Sequence, residues 1–422
     1  MRNLFLILAL LMLASLCFAQ AEFPDAFVGT RPGAFSARSL SLGHAYLTDE
    51  SGPPSMMGNP AGLADQTTRW RFMFSGDVAR IKETRKYPIF DAFNAVLIYN
   101  NYALNDHLYS KMDGGIAYRV PTDAVESFVL CLASYSAYSF DYTYGEEVRA
   151  RYSSGGIMDT KLGENDLDIA GDLRTLSFGA ATKTHGPLSV GFAFNTLEGS
   201  WTYTRGVYYA DTVAARDSNL VERFKYSNKG FPGELNFGAA YVINDRVKVG
   251  ARVLLPTGEY KFKSDGTLTH GDTLFTGGGD QIIKYPKRLS LGVQFRPASE
   301  YRPLLLLEGE VYTYHDTDPT LKNTFEIRAG VEHQVIPGAP VRFGYTYSTS
   351  PTDANRANSM FTAGIGFIVR NLSFDFGVEL GTINYIQSDL FAQHFYGDPD
   401  RLNNDHVETD VFRGMLSVKY DL

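Results

Sequence analysis

Apolar and polar residues alternate along most of this chain, from about residue 69 to its end. In residues 371–386, Leu372 and Phe374 fall on one face while Ser373 and Asp375 fall on the other. The same two-residue period runs through residues 289–296, 341–348 and 412–422. Because successive side chains of a strand point to opposite faces, this period predicts β-strands with one apolar and one polar face.

The connections between these strands indicate how the sheet is closed. A soluble β-sandwich and a membrane barrel both show the alternation, so the period alone does not separate them. Tight turns are predicted near residues 185–187, 243–246 and 369–371, and long polar loops over residues 145–170, 205–233, 263–280 and 387–409. Short turns at one end and long loops at the other are typical of outer-membrane barrels. The sequence therefore predicts an all-β fold, a transmembrane antiparallel β-barrel over residues 69–422.

The number of strands follows from the alternating spans. They are residues 69–80, 92–102, 112–121, 127–144, 172–185, 188–204, 234–243, 246–262, 281–296, 303–315, 324–335, 339–348, 359–369, 371–386 and 410–422. These fifteen spans are an odd number, whereas single-chain bacterial barrels have an even number of strands. The span over residues 92–102 is the weakest. We therefore predict 14 strands.

Composition and charge agree with a sheet protein. Aromatic residues make up 14% of the chain and glycine contributes 40 residues, a mixture that favours strands and tight turns. The net charge of −8 argues against a nucleic-acid partner, which needs a clustered basic face. After the N-terminal segment, no apolar run approaches the roughly 20 residues that a membrane helix needs.

The first 21 residues predict a secretory signal peptide. A basic Arg2 precedes the almost wholly apolar residues 4–16, and small residues place the cleavage after Ala19 or Ala21. This run is too short for a membrane anchor. The mature protein is therefore expected to leave the cytoplasm and to reside in the bacterial outer membrane.

The two cysteines have different expected fates. Cys17 lies in the signal peptide, and Leu16 before it is larger than the residue that a lipoprotein signal needs, so we expect Cys17 to be removed. Cys131 is then alone and cannot form an internal disulfide. We expect it to be a buried or lipid-facing small residue.

A turn-rich segment, residues 22–68, precedes the strands. Its centre contains Asn59, Pro60 and Ala61 between two glycines. Pro60 biases Asn59 away from the α region, so Asn59 can cap a helical turn that Pro60 begins. Glycine on either side lets the backbone turn or approach another wall closely. The residues alone fit either an exposed loop with a short helix or a segment packed against a wall.

Several short motifs resemble a known family. They are Arg38-Ser39-Leu40, Gly43, Asp49-Glu50 and Asn59-Pro60-Ala61-Gly62-Leu63, with residues 285–293, 340–347 and 361–367 in the strands. This set is similar to the FadL/TodX family of outer-membrane transporters for long-chain fatty acids and other hydrophobic compounds, whose N-terminal hatch plugs the barrel. The chain departs from the family at His44, usually a second glycine, and at Leu422, usually aromatic in the C-terminal barrel-insertion signal.

The resemblance implies a function. It implies passive uptake of a hydrophobic ligand, gated by the hatch at Asn59, Pro60 and Ala61, with lateral exit where an early strand kinks. Gly114 and Gly115 offer a place for that kink, because glycine interrupts regular packing. The expected partners are outer-membrane lipids, the ligand, and the barrel-assembly machinery that recognises the C-terminal strand. PorV-like proteins share these features, so a non-transporting accessory barrel that binds secretion-system proteins is the alternative.

Charged residues at predicted inward positions have two interpretations. They are Arg252, Arg296, Glu308, Glu310, Glu326, Arg328, Glu332, Arg342, Asp375, Glu379, Arg413 and Lys419. The favoured one is a salt-bridge network that braces the barrel and holds the hatch, and the other is a polar conduit below an apolar binding site. Four loop aromatics, Phe275, Phe391, Phe395 and Tyr396, form either that binding site or an interfacial girdle.

Catalytic and cofactor motifs were sought and none is predicted. The 8 histidines have no metal-ligand spacing, and none neighbours a cysteine. The glycine-rich residues 277–280 lack the flanking lysine and hydroxyl residue of a phosphate-binding loop. No local nucleophile and base motif appears. We therefore predict no enzyme activity, no cofactor and no metal.

Overall fold

The computed structural model describes most of the chain after its N-terminus. It covers residues 29–93, 95–149, 160–210, 219–299, 301–336, 338–351, 357–397 and 403–422. The predicted signal peptide, including Cys17, lies outside the described residues. Within them, no helix has the length and apolarity to cross a membrane.

Short helices occupy the N-terminal segment and two loops, and strands occupy the rest. The helical elements are α1 (Ala37–Ser41) and the 3-10 turns η1 (Pro53–Met56), η2 (Pro60–Asp65), η3 (Tyr314–Asp316) and η4 (Gln393–Tyr396). The strands are β1 (Trp70–Phe90), β2 (Val96–Arg119), β3 (Ser127–Ser139), β4 (Tyr142–Arg149), β5 (Lys161–Lys183), β6 (Leu188–Thr196), β7 (Glu198–Tyr209), β8 (Leu220–Lys229), β9 (Gly233–Asn244), β10 (Val247–Pro256), β11 (Tyr260–His270), β12 (Thr273–Ile283), β13 (Arg288–Phe295), β14 (Leu304–Tyr312), β15 (Thr324–Ile336), β16 (Ala339–Thr349), β17 (Ala357–Val369), β18 (Leu372–Gln387) and β19 (Asp405–Asp421).

These segments form one closed antiparallel barrel. Consecutive segments continue a single barrel strand in β3/β4, β6/β7, β8/β9, β10/β11 and β12/β13, so the described chain has 14 barrel strands. The last strand β19 pairs with β1 and closes the ring. The predicted number is confirmed, but two predicted spans, 92–102 and 112–121, belong to the single strand β2. Polar residues between them, such as Asp106 and His107, hid this continuity.

Three of the four predicted long loops are wrong for much of their length. Strand pairing continues through large parts of residues 145–170, 205–233 and 263–280. The β11–β12 ladder, for example, reaches His270 opposite Thr273. Beyond the apolar, lipid-facing belt of the barrel, both faces of a strand contact water. The alternation of apolar and polar residues therefore fades there, while the backbone hydrogen bonds between strands continue. Residues 387–409 contain the predicted loop, which joins β18 to β19.

The barrel exterior is apolar. The interior is polar in the half nearer to the start of β1, which we call the lower half. Outward residues such as Leu291, Leu307 and Phe343 are more than half exposed, at 61%, 54% and 58% of their surface. At the end where β1 begins, the rings of Trp70 and Tyr118 lie 4.3 Å apart, as in an interfacial girdle. This outer surface is the kind that lipid solvates in a membrane barrel.

Candidate functional site

The N-terminal segment fills the barrel near the end where β1 begins, and we call residues 29–68 the hatch. Side chains cap α1 and η2: the Ser36 oxygen accepts from the Ser39 N–H at 3.0 Å, and Asn59 Oδ1 accepts from the Ala61 N–H at 3.1 Å. Ser36 also donates to Glu50 at 2.8 Å. Burial raises the pKa of the Glu50 carboxyl, against the opposing charge of Arg38.

The Asn59-Pro60-Ala61 motif is packed against the wall and is not an exposed loop. Asn59 Nδ2 donates to Leu47 O at 2.8 Å within the hatch and to Ala239 O on β9 at 3.0 Å. Opposite the motif the wall carries glycine. A Cβ added at Gly191 lies only 2.4 Å from the Pro60 carbonyl carbon. Any larger side chain there therefore displaces the motif.

Buried charges on the wall bind the hatch in the way that the favoured interpretation describes. Glu308 accepts the backbone N–H groups of Tyr46 and Leu47 at 3.1 and 2.7 Å. Its neighbour Glu310 accepts from the Tyr46 hydroxyl at 3.0 Å and from Arg328 at 2.7 Å. These carboxylates are almost fully buried and are satisfied by hatch and wall donors together.

A second part of the network holds the other side of the hatch. Arg38 bonds Asp49 within the hatch and reaches Glu332 of β15 at 3.1 Å. Arg342 joins Glu332 and Asp375, both at 2.6 Å. Two further ion pairs link His44 to Glu379 and Arg413 to Asp77. Among the predicted inward charges, Arg296 is the exception in being exposed, although its guanidinium pairs with Asp49.

Above the hatch the interior is rich in aromatic rings, with the buried ion pair of Arg85 and Glu83 beside them. We call the following buried residues the aromatic cluster: Tyr138, Phe140, Tyr142, Tyr144, Trp201, Tyr226, Tyr260, Phe262, Tyr285 and Phe391. At its centre Trp201 stacks on Phe140 with ring centroids 4.1 Å apart, and on Tyr226 at 5.0 Å. Such a set of rings offers an apolar surface of specific shape to an apolar or aromatic ligand.

The loop between β18 and β19 closes the aromatic cluster from above. Phe391 is 2% exposed and inserts into the cluster, where the Arg205 guanidinium lies 4.8 Å from its ring centroid. Tyr396 donates to Asn165 at 2.8 Å. Three of the four predicted loop aromatics, including Phe395, thus gather here. Phe275 does not, because it lies on β12 and is exposed.

One boundary between adjacent barrel strands, which we call a seam, lacks most of its ladder of backbone hydrogen bonds. Strands β2 and β3 pair only from Gly114↔Ser134 to Arg119↔Val129. Farther along, side chains of β2 take the place of its backbone as acceptors for β3 and β4. The N–H groups of Ser136, Thr143 and Gly145 donate to Asp113 Oδ1, the Tyr109 hydroxyl and Asn105 Oδ1 at 2.9, 3.0 and 2.8 Å. We call this stretch the β2/β3 seam.

The cause of the β2/β3 seam is an irregularity in β3. The β3–β5 register shifts between Ser136 and Tyr138, so Ala137 is an extra residue that bulges the strand. The strand then breaks after Ser139, whose N–H and C=O both bond Thr30 of the hatch at 2.7 Å. The hatch is therefore joined by backbone bonds to the irregular strand of the wall.

The two glycines predicted to allow a kink lie at the lower end of this seam. The strand β2 stays in register with β1 through Gly114 and Gly115. Gly114 forms the last pair of the β2–β3 ladder. A Cβ added at Gly115 lies 2.6 Å from the Pro53 side chain, so this glycine admits the hatch.

Comparisons with known proteins agree with this architecture. The chain aligns with a Pseudomonas aeruginosa FadL homologue at 14% identity and a TM-score of 0.65, over 93% of this chain and 100% of the other. The P. putida toluene transporter TodX aligns at 13% and 0.61 over 92% and 99%, and the Ralstonia pickettii toluene transporter TbuX at 12% and 0.58 over the same shares. No family model and no curated protein matches the chain. Its fold is that of the FadL/TodX-type transporters.

Proposed function

We propose that this protein is an outer-membrane channel for passive uptake of hydrophobic small molecules such as long-chain fatty acids. The observation that carries the proposal is the position of the buried aromatic cluster. The hatch bounds it below, the Phe391 loop covers it above, and the β2/β3 seam lies beside it, since Phe140, Tyr142 and Tyr144 belong to both the cluster and the irregular strand. The solved structures with this fold include two toluene transporters.

The proposed path has three steps. The ligand first displaces Phe391 and takes its place among the rings of the aromatic cluster. Its presence then shifts the hatch around Asn59, and the Thr30–Ser139 bridge passes this shift to β3. The ligand finally leaves through the β2/β3 seam into the membrane.

A lateral exit suits an apolar ligand better than the interior does. Below the aromatic cluster the route crosses buried ion pairs such as Glu310–Arg328. Each CH₂ group left in water instead of an apolar medium costs about 0.8 kcal/mol, so a long alkyl chain strongly disfavours that polar route. Exit through the seam moves the chain directly from apolar rings into lipid.

The test is uptake into cells or proteoliposomes, measured with a labelled long-chain fatty acid and with labelled toluene. We expect Asn59→Ala to raise uptake of both labelled compounds several-fold, because it removes three side-chain hydrogen bonds that fix the closed hatch, each worth about 0.5–1.5 kcal/mol. The control is Asn100→Ala, which removes an exposed amide that donates to the Tyr87 hydroxyl, away from the hatch. Uptake and ligand affinity unchanged from the wild type in Asn59→Ala contradict the hatch step.

One observation favours a second function, that of a PorV-like accessory barrel. The tip of the β1–β2 hairpin exposes apolar side chains, with Phe93, Leu97 and Ile98 at 91%, 66% and 61% of their surface. It lies beyond the exposed Arg80–Asp106 pair, and thus beyond the apolar belt. Purification in mild detergent distinguishes the two functions. Co-purification of an apolar small molecule supports the channel. The accessory function is supported if the wild type retains a stoichiometric protein partner that Phe93→Ser loses, and if the wild type takes up neither labelled compound.

A further inference from the structure

Arg174 makes an unusual contact across the wall. It lies on β5 and alternates with the inward residues Leu173 and Thr175, so its side chain starts on the outer face. Its Nη2 nevertheless donates to Met112 O on β2 at 2.8 Å. The strand β3 lies between β5 and β2, so the extended side chain and its hydrogen bond together reach past β3 to the next strand. Arg174 therefore crosses the outside of the barrel over the irregular strand.

The far end of this contact is the first position of the β2/β3 seam. Arg174 Nη2 lies 3.6 Å from Asp113 Oδ1, the atom that accepts the Ser136 N–H at 2.9 Å. Asp113 directly precedes Gly114, the first residue of β2 that pairs with β3. Asp113 is 5% exposed, so water contributes little to the stabilisation of its charge.

Polar groups behind the contact are left unsatisfied while the seam is closed. Asn105 Nδ2, Ser136 Oγ and Thr175 Oγ1 are buried and make no hydrogen bond to any group that the structure describes. Lys111 Nζ beside them has an ion pair to Asp141 at 3.6 Å. Unsatisfied buried polar atoms raise the free energy of the closed arrangement. None of these three described atoms therefore contributes a hydrogen bond that holds the seam closed.

We propose that Arg174 is a positioning residue that latches the β2/β3 seam shut through Met112 O and Asp113. This inference rests on the proposed function, because it concerns the exit of the same channel. When Arg174 moves away from Asp113, the carboxylate loses this ion pair. Its hydrogen bond to the Ser136 N–H then breaks more easily. The seam then opens from Gly114 towards Asn105.

The test compares Arg174→Gln with a matched surface variant, Arg80→Gln. Arg80 also faces outward and pairs with Asp106, but it joins β1 to β2, which are fully laddered there. The measurements are amide hydrogen exchange of residues 135–146 in lipid nanodiscs and uptake of a labelled fatty acid. We expect Arg174→Gln to raise both several-fold, Arg174→Lys to raise them less, and Arg80→Gln to change neither.

The two readouts separate the latch from the channel. Exchange in Arg174→Gln equal to that in Arg80→Gln overturns the latch, whatever happens to uptake. Faster exchange with unchanged uptake supports the latch and refutes exit through the seam. A rise in both supports the latch and the proposed function together.

Discussion

Two seams of this barrel are built in opposite ways. The seam that closes the ring, β1 with β19, is in register from Arg71↔Asp421 to Lys86↔His406 without a shift. The β2/β3 seam has a short ladder and then relies on Asp113, Tyr109 and Asn105. Two adjacent strands, β1 and β2, separate these seams.

The two seams differ in the groups that supply their hydrogen bonds. In the β1/β19 seam the bonds come from the backbone, which every residue except proline supplies. Beyond the short ladder of the β2/β3 seam, these three bonds each need a particular side chain, so single substitutions remove them. A wall that must stay closed uses the first construction, and a wall that opens is well served by the second.

The largest expected effect is that of proline in the two seams. Val78→Pro removes a ladder bond in the middle of β1, and we expect it to abolish the folded barrel. Thr143→Pro removes the N–H that the Tyr109 hydroxyl accepts and an exposed side-chain bond to Asp168, but no N–H of the β4–β5 ladder. We expect this variant to keep the compact, heat-modifiable band of a folded barrel in unheated SDS gels. Loss of the folded band in both variants contradicts the contrast between the seams.

The next effect concerns the bulge. Deletion of Ala137 removes the extra residue while the residues on either side keep their faces. We expect β3 to straighten, the β2–β3 ladder to extend past Gly114, and uptake to fall at least about tenfold in a barrel that still folds. Deletion of Ala92 in the β1–β2 turn is the control. Normal uptake with Ala137 deleted contradicts an exit at this seam.

Sequence patterns predicted the parts of the molecule that obey the period of a strand. Arg252, Glu310 and Arg328 were placed inside because alternate residues share a face, and all three are buried there. The motif at Asn59 was placed in the hatch by resemblance, but the wall glycine that admits it, Gly191, was not recognised. A contact between hatch and wall depends on the register of strands far apart in the chain.

The β2/β3 seam was not predictable from local pattern. Residues 134–139 read Ser-Tyr-Ser-Ala-Tyr-Ser, so an extra small residue leaves no mark in the alternation. Gly114 and Gly115, where a kink was predicted, lie on the neighbouring strand β2, where the β2–β3 ladder ends. The one readable signal was the spacing of Asn105, Tyr109 and Asp113, which are four residues apart and share a face.

The smallest expected effect is the loss of one seam bond. Tyr109→Phe leaves the Thr143 N–H without its acceptor, which costs about 1 kcal/mol, so local amide exchange at Thr143 is expected to rise about fivefold. The control is Tyr345→Phe, which removes a hydroxyl bonded to Ser359 at 2.9 Å between fully laddered β16 and β17. There we expect no change in backbone exchange, because the ladder does not use the side chain. Equal exchange in the two variants means that Tyr109 is not part of what closes the wall.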